Sequence, residues 1–224
     1  MNILIVTTNA AELAPGHPTG TWLEEFAIPY TAFRRAGAAV TVASPKGGAS
    51  PIDPKSKADD QQRMDWADAI GALERTVPLA TLSPGDFTAL YIPGGHGPMV
   101  DLAVDPATHA ALSACDASGT LIAAVCHGPA ALVNAKRANG EPFVSGRRVS
   151  GFTNAEEKLA GLDHVVPFLL ETVLKERGAH FDATPVPFAP HVIRDGNLIT
   201  GQNPASSKGI AEAILAALSA PLPG

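Results

Sequence analysis

The stretch Leu121–Leu132, LIAAVCHGPAAL, decides how the chain folds. It opens on an apolar run too short for a helix, the pattern of a strand buried on both faces. It closes on Pro129-Ala130-Ala131-Leu132, helix-forming residues with Pro near the first turn. Cys126, His127 and Gly128 fall between. A strand-to-helix turn that carries a nucleophile followed by a small residue has the mechanics of a nucleophile elbow, with the side chain lifted above the sheet at a helix N-terminus. There the helix dipole and free N–H groups are expected to favour the thiolate over the thiol. On spacing alone, a buried structural cysteine on a core strand is the plainer alternative.

Outward from this turn, short apolar runs alternate with helical patterns. Asn2–Thr7 and Ala39–Ser44 read as strands flanking a helix from Thr21 to Arg35, whose Trp22, Phe26, Tyr30 and Phe33 share one face. Pro29 inside that helix should bend it and Gly37 should end it. Pro45–Lys57 reads as loop and Ala58–Arg75 as polar helix, with Met64, Ala67, Ile70 and Leu73 at helical intervals. Residues 45–80 together read as an accessory excursion from the sheet. Ala89–Ile92 is a strand, Pro93–Pro98 a loop, and Asp105-Pro106 starts a helix running to Ala117. Beyond the elbow, Asn139–Val149 reads as a short hairpin, Val166–Arg177 as a helix and Phe181–Phe188 as an extended edge segment. Asp195-Gly196-Asn197 signals a hairpin, and Pro204–Leu218 a closing helix. The alternation predicts one domain over residues 1–224, a doubly wound α/β sandwich on a largely parallel sheet. The loops Asn9–Gly20, Pro93–Pro98 and Cys126–Gly128 leave strands at the edge where such folds gather ligands.

With 224 residues and 46% hydrophobic content the chain can bury a full core. A net charge of -6 argues against nucleic-acid binding. No apolar run approaches the roughly 18 residues of a membrane span. Met1–Val6 enters a strand with no basic leader pattern, and two cysteines make no disulfide framework, so a reducing, cytoplasmic setting is expected. The Gly-rich loops match neither nucleotide-binding pattern. His17, His109, His164, His180 and His191 lack metal-ligand spacing, so neither cofactor nor metal is expected.

Glu25 lies beside Glu24 and is either a solvated carboxylate or, if turned towards the sheet edge, a buried acid with a raised pKa suited to proton transfer. Gly94-Gly95-His96-Gly97 is either a flexible turn or an oxyanion hole of unshielded backbone N–H groups. His127 next to a candidate nucleophile reads as its base or ion-pair partner, with Glu156, Glu157 or Asp163 available to orient it. Cys115, in an amphipathic helix, reads as packing.

AAVCHGPAAL, IPGGHG, GTWLEEFAIPY, SGFTNAEE and TGQNPASS together resemble the DJ-1/PfpI superfamily, most closely its Hsp31-like branch of glutathione-independent glyoxalases (glyoxalase III type). The resemblance runs in order over nearly the whole chain. It implies a flavodoxin-like three-layer fold and a homodimer. It makes Cys126 the nucleophile, His127 its partner, Glu25 the acid touching the thiol and Glu157 the third member of the triad. Gly94, Gly95 and His96 then surround the developing oxyanion. The implied reaction converts methylglyoxal and related 2-oxoaldehydes to 2-hydroxy acids (D-lactate) without glutathione or metal. The alternatives are a protein deglycase or other amidotransferase-like amidohydrolase, and a chaperone or redox-responsive stress protein. A true glutaminase is disfavoured because no His-x-Glu occurs in the chain.

Overall fold

Four apolar runs form the centre of a seven-stranded sheet in the computed structural model, which describes residues 1–219. The strands are β1 (Asn2–Val6), β2 (Ala39–Ser44), β3 (Val77–Pro78), β4 (Ala89–Ile92), β5 (Leu121–Val125), β6 (Val192–Asp195) and β7 (Leu198–Gly201). Their order across the sheet is β6-β7-β5-β4-β1-β2-β3. Only β6 is antiparallel to its neighbour, joined to β7 by the turn Gly196-Asn197. Every residue of β4, β5 and β7 is buried, as parallel strands covered on both faces require.

From β1 to β2 the chain moves one way along the sheet; from β4 to β5 it moves the other. Right-handed crossovers therefore place the two connecting helices, α1 (Leu23–Arg35) and Pro106–Ala117, on opposite faces. Helix α1 packs on Ser207–Ser219 and Ala67–Leu73, while Pro106–Ala117 packs on β5. The outcome is a flavodoxin-like three-layer sandwich. Its direction reverses between β1 and β4, so a crevice opens at their carboxyl ends. Among the described residues no helix is long and apolar enough to cross a membrane.

Several local expectations need correcting. Ala58–Arg75 is two short helices, Asp60–Asp65 and Ala67–Leu73, broken at Trp66. Met64 is outside the shared face at 65% exposure. The segment then returns to the main sheet as the edge strand β3. Asn9–Gly20 contains a small antiparallel pair, Glu12–Ala14 with His17–Pro18. The Asn139–Val149 hairpin reduces to an isolated bridge between Lys136 and Pro142, and Arg148–Val149 pairs in parallel with His180–Phe181 instead. After Phe181 the chain up to Phe188 is irregular, because its prolines cannot donate to a ladder. The helix expected from Val166 begins at Leu170.

Helix α1 carries Pro29 without interruption. Proline has no N–H, so the carbonyl of Glu25, four residues earlier, loses its helical donor. The Tyr91 hydroxyl of β4 donates to that carbonyl at 2.6 Å, in the core. A proline on the helix thus creates an acceptor that the sheet fills, and the bond fixes Glu25 over β4. Tyr91→Phe leaves this acceptor buried and unpaired. It should lower the unfolding free energy by about 1–3 kcal/mol, read from the urea midpoint at an unchanged m-value. An unmoved midpoint contradicts the account.

Candidate active site

At Cys126 the chain turns with φ 58°, in the left-handed region that side chains rarely enter. The Cys126 N–H donates to the Gly201 carbonyl at 3.0 Å, and its own carbonyl accepts from the Phe152 N–H at 2.9 Å. A Cβ on Gly128 would sit 2.4 Å from the Ile92 carbonyl oxygen, so only glycine lets the ends of β4 and β5 close together. The elbow is therefore present, but the helix after it is not the expected α-helix. Gly128–Leu132 is a five-residue 3₁₀ segment, too short to build a full macrodipole behind the sulfur. Cys126 is only 3% exposed. Burial first, and the adjacent Glu25 carboxyl second, push its thiol well above the ordinary value. Both favour the neutral thiol, against the pull towards the thiolate that the sequence pattern suggested.

Cys126 Sγ lies 3.3 Å from His127 Nδ1, and His127 Nε2 lies 2.7 Å from Glu157 Oε2. Burial would raise the Glu157 carboxyl, but hydrogen bonds from His127 and His96 outweigh it and hold the group at about 2. An ionised Glu157 accepts a hydrogen bond from the His127 Nε2–H, the tautomer that leaves Nδ1 bare and facing the sulfur. Burial, with His96 nearby, lowers His127 to about 4, so the imidazole is neutral near pH 7. Of the three acids considered from sequence, Glu157 alone meets His127. Glu156 is turned away into a capping box with Thr153, and Asp163 pairs loosely with the exposed His164 at 3.5 Å.

Glu25 has turned inward and is fully buried, while Glu24 stays partly exposed. Its Oε2 accepts from the Gly94 N–H at 2.7 Å, and the carboxyl also engages the Cys126 thiol. Oε1 is buried with no partner of its own. Burial, only partly opposed by those two bonds, pushes Glu25 up to about 8. Glu25 and Cys126 thus both hold their protons near neutrality. A Cβ on Gly94 would stand 2.6 Å from Glu25 Oε2 and 2.8 Å from Cys126 Cβ, so acid and thiol meet only across a glycine.

The expected oxyanion loop is rearranged in two respects. The Gly94 N–H is committed to Glu25, which leaves the N–H groups of Gly95 and His127 without a backbone carbonyl partner among the described residues. His96, expected beside the oxyanion, instead turns its ring to Glu157. Its Nε2 lies 2.8 Å from Glu157 Oε1, and its ring is 3.9 Å from that of His127. One carboxylate therefore bridges two imidazoles. Ligand atoms of His96, His127 and Glu157 lie within 4.8 Å of one another, a donor set that zinc accepts. Linear spacing could not reveal this cluster, because its members follow three different elements.

Gly95, His96, Cys126 and His127 open onto a cavity of about 280 Å³, walled further by Trp22, Phe152, Leu162 and Phe188. A larger hollow of about 620 Å³ lies elsewhere, against Tyr30, Arg34 and Arg75, with neither a cysteine nor a histidine on it. No pattern in the sequence marks Phe152 or Phe188 as a wall of this cavity.

The DJ-1/PfpI family model matches residues 19–217. The glutathione-independent glyoxalase hsp3101 of Schizosaccharomyces pombe is 31% identical over 223 residues, covering 89% of this chain and 88% of its own. Among solved structures, the Francisella tularensis Rapid Encystment Protein 24 KDa is 33% identical with a TM-score of 0.91, covering 98% of this chain and 99% of its own. Glyoxalase III from Candida albicans is 25% identical with a TM-score of 0.85, covering 97% of each chain. By sequence over most of its length, and by a backbone that superposes on these structures, the chain belongs to the DJ-1/PfpI family.

Proposed function

We propose that this chain is a glutathione-independent glyoxalase, converting methylglyoxal and related 2-oxoaldehydes to 2-hydroxy acids such as lactate, with Cys126 as nucleophile. The observation that carries the reading is the line Cys126–His127–Glu157, at 3.3 and 2.7 Å, with the buried Glu25 carboxyl gathered beside Cys126 at Gly94. The relatives named glutathione-independent glyoxalases support it.

In this reading the sulfur adds to the aldehyde carbon as the thiol proton passes to His127 Nδ1. The aldehyde oxygen takes the negative charge towards the Gly95 and His127 N–H groups. It then takes the proton back, giving a hemithioacetal. His127 removes the hydrogen from the former aldehyde carbon as the protonated Glu25 gives its proton to the neighbouring carbonyl oxygen. The enediol that forms is protonated on the neighbouring carbon and loses a hydroxyl proton, leaving a thioester of the 2-hydroxy acid. Water cleaves the thioester, frees the acid and restores the thiol. One carbon is oxidised, its neighbour is reduced, and one water is consumed, so no external oxidant or thiol is needed. A carboxyl at about 8 can both give and take a proton near neutral pH. The buried neutral thiol gives no support to a redox-sensor role, which favours an exposed thiolate.

Purified protein supplied with methylglyoxal and no glutathione should form lactate. Cys126→Ala should abolish the product, and full turnover in that variant would overturn the assignment. Glu25→Gln should lower kcat by about 10²–10⁴-fold, the usual share of a positioned acid–base group. The pH profile should fall below about 4, as His127 gains a proton, and above about 8, as Glu25 loses its own. Activity that stays flat well above that upper value takes Glu25 out of the proton path. Stability follows the same group with a worked sign. Its pKa is raised on folding, so its contribution is full below the ordinary 4.5 and is lost as pH rises through about 8. Glu25→Gln should therefore lose less Tm than the native chain between neutral and mildly alkaline buffer; equal losses would contradict this.

A further inference from the structure

We infer that the preferred substrate is a 2-oxoaldehyde bearing an aromatic or bulky alkyl group, and that Phe188 is the residue that selects it. The inference rests on the glyoxalase reading and adds the substrate class. A cavity of about 280 Å³ falls just short of the roughly 300–1,000 Å³ that encloses drug-sized ligands. Methylglyoxal, with its single methyl substituent, leaves much of that space unfilled. Beyond the sulfur the lining includes Trp22, Phe152, Leu162, Phe188 and Pro204, with Lys55 the one lysine or arginine on it among the described residues. The Phe152 ring lies 4.4 Å from that of His127 and 6.0 Å from that of Phe188. This row leads outward from the reacting atoms, where the substituent of a bound 2-oxoaldehyde would extend. A methyl group gains little from the row. A phenyl group would contact its length.

Phe188 itself is out of place by ordinary rules. It has φ 61°, although a bulky side chain disfavours that region, and the residue is 46% exposed. Neither backbone preference nor core burial explains it. The conformation is imposed by Glu156, whose Oε1 accepts from the Phe188 N–H at 2.8 Å and from the side-chain amides of Gln202 and Asn203 at 3.0 and 2.9 Å. Asn203 also donates to the Ala189 carbonyl at 2.8 Å, and Gln202 Oε1 accepts from the Thr184 N–H at 2.9 Å. The segment carrying Phe188 is thus tied down on both sides of a strained residue. Strain retained beside a reactive centre is the signature of a positioned binding group. A substrate aromatic group would cover the face that Phe188 leaves in water.

The test compares kcat/KM for methylglyoxal and phenylglyoxal without glutathione, in the native chain and in Phe188→Gly. Glycine takes φ 61° without strain, so the fold should survive. Phenylglyoxal should be favoured by about 10-fold or more, the scale on which apolar pockets discriminate, and the preference should move towards one in Phe188→Gly. Intrinsic aldehyde reactivity cancels in that second comparison. No preference in the native chain, or the same preference in Phe188→Gly, overturns the inference while the glyoxalase reading stands. Calorimetry on Cys126→Ser separates the two further. Mandelate should bind about 10-fold more tightly than lactate by the same scale. Equal affinities overturn the inference, whereas selective mandelate binding without turnover of either aldehyde faults the reaction and leaves the pocket assignment supported.

Discussion

Everything in the site depends on one residue held in a backbone conformation it would not choose. At φ 58° Cys126 sits where a side chain costs on the order of 1–3 kcal/mol. The surrounding structure over-determines it. Gly201 accepts its N–H, Phe152 donates to its carbonyl, and Gly128 lets the ends of β4 and β5 approach. Without that bend the sulfur would point along the strand, not into the cavity.

Burial is the second constraint, and it sets the protons. Removing Glu25 and Cys126 from water favours their neutral forms, while two imidazole donors keep Glu157 charged despite its own burial. The site therefore holds an acid, a thiol, a neutral base and a single carboxylate within a few ångströms. That distribution suits a reaction that moves protons between adjacent carbons. A preformed thiolate is unnecessary, since His127 can take the proton as the sulfur attacks.

Two adjacent glutamates illustrate how little of this is local. Glu156 and Glu157 occupy the same helical turn, yet one caps the helix and anchors the chain at Phe188 while the other bridges His96 and His127. A helix turns about 100° per residue, so neighbours face different surroundings. Which surroundings each meets depends on the loops after β4 and β5 and on the segment before Phe188, none of which is near them in the chain.

The main strands, the elbow and helix α1 were legible because their signals are local: unbroken apolar runs, small residues around Cys126, and helical spacing from Trp22 to Phe33. The alternation of these elements, with right-handed crossovers, determined a largely parallel sheet and the edge where its loops converge. Sequence also marked Cys126, His127 and Glu25, while leaving open whether Glu25 faced solvent. The break at Trp66, the 3₁₀ segment after His127 and the strained Phe188 escaped it, since each arises from how distant segments pack. Tertiary structure alone decided how completely Glu25 is buried, the bridging of two imidazoles by Glu157, the ring contact of His96 with that carboxylate and the neutral form that burial favours for the thiol. The physical reason is common to all four: proton affinity and hydrogen-bond partners follow from the groups gathered around an atom in space, and chain order lists only those beside it along the backbone.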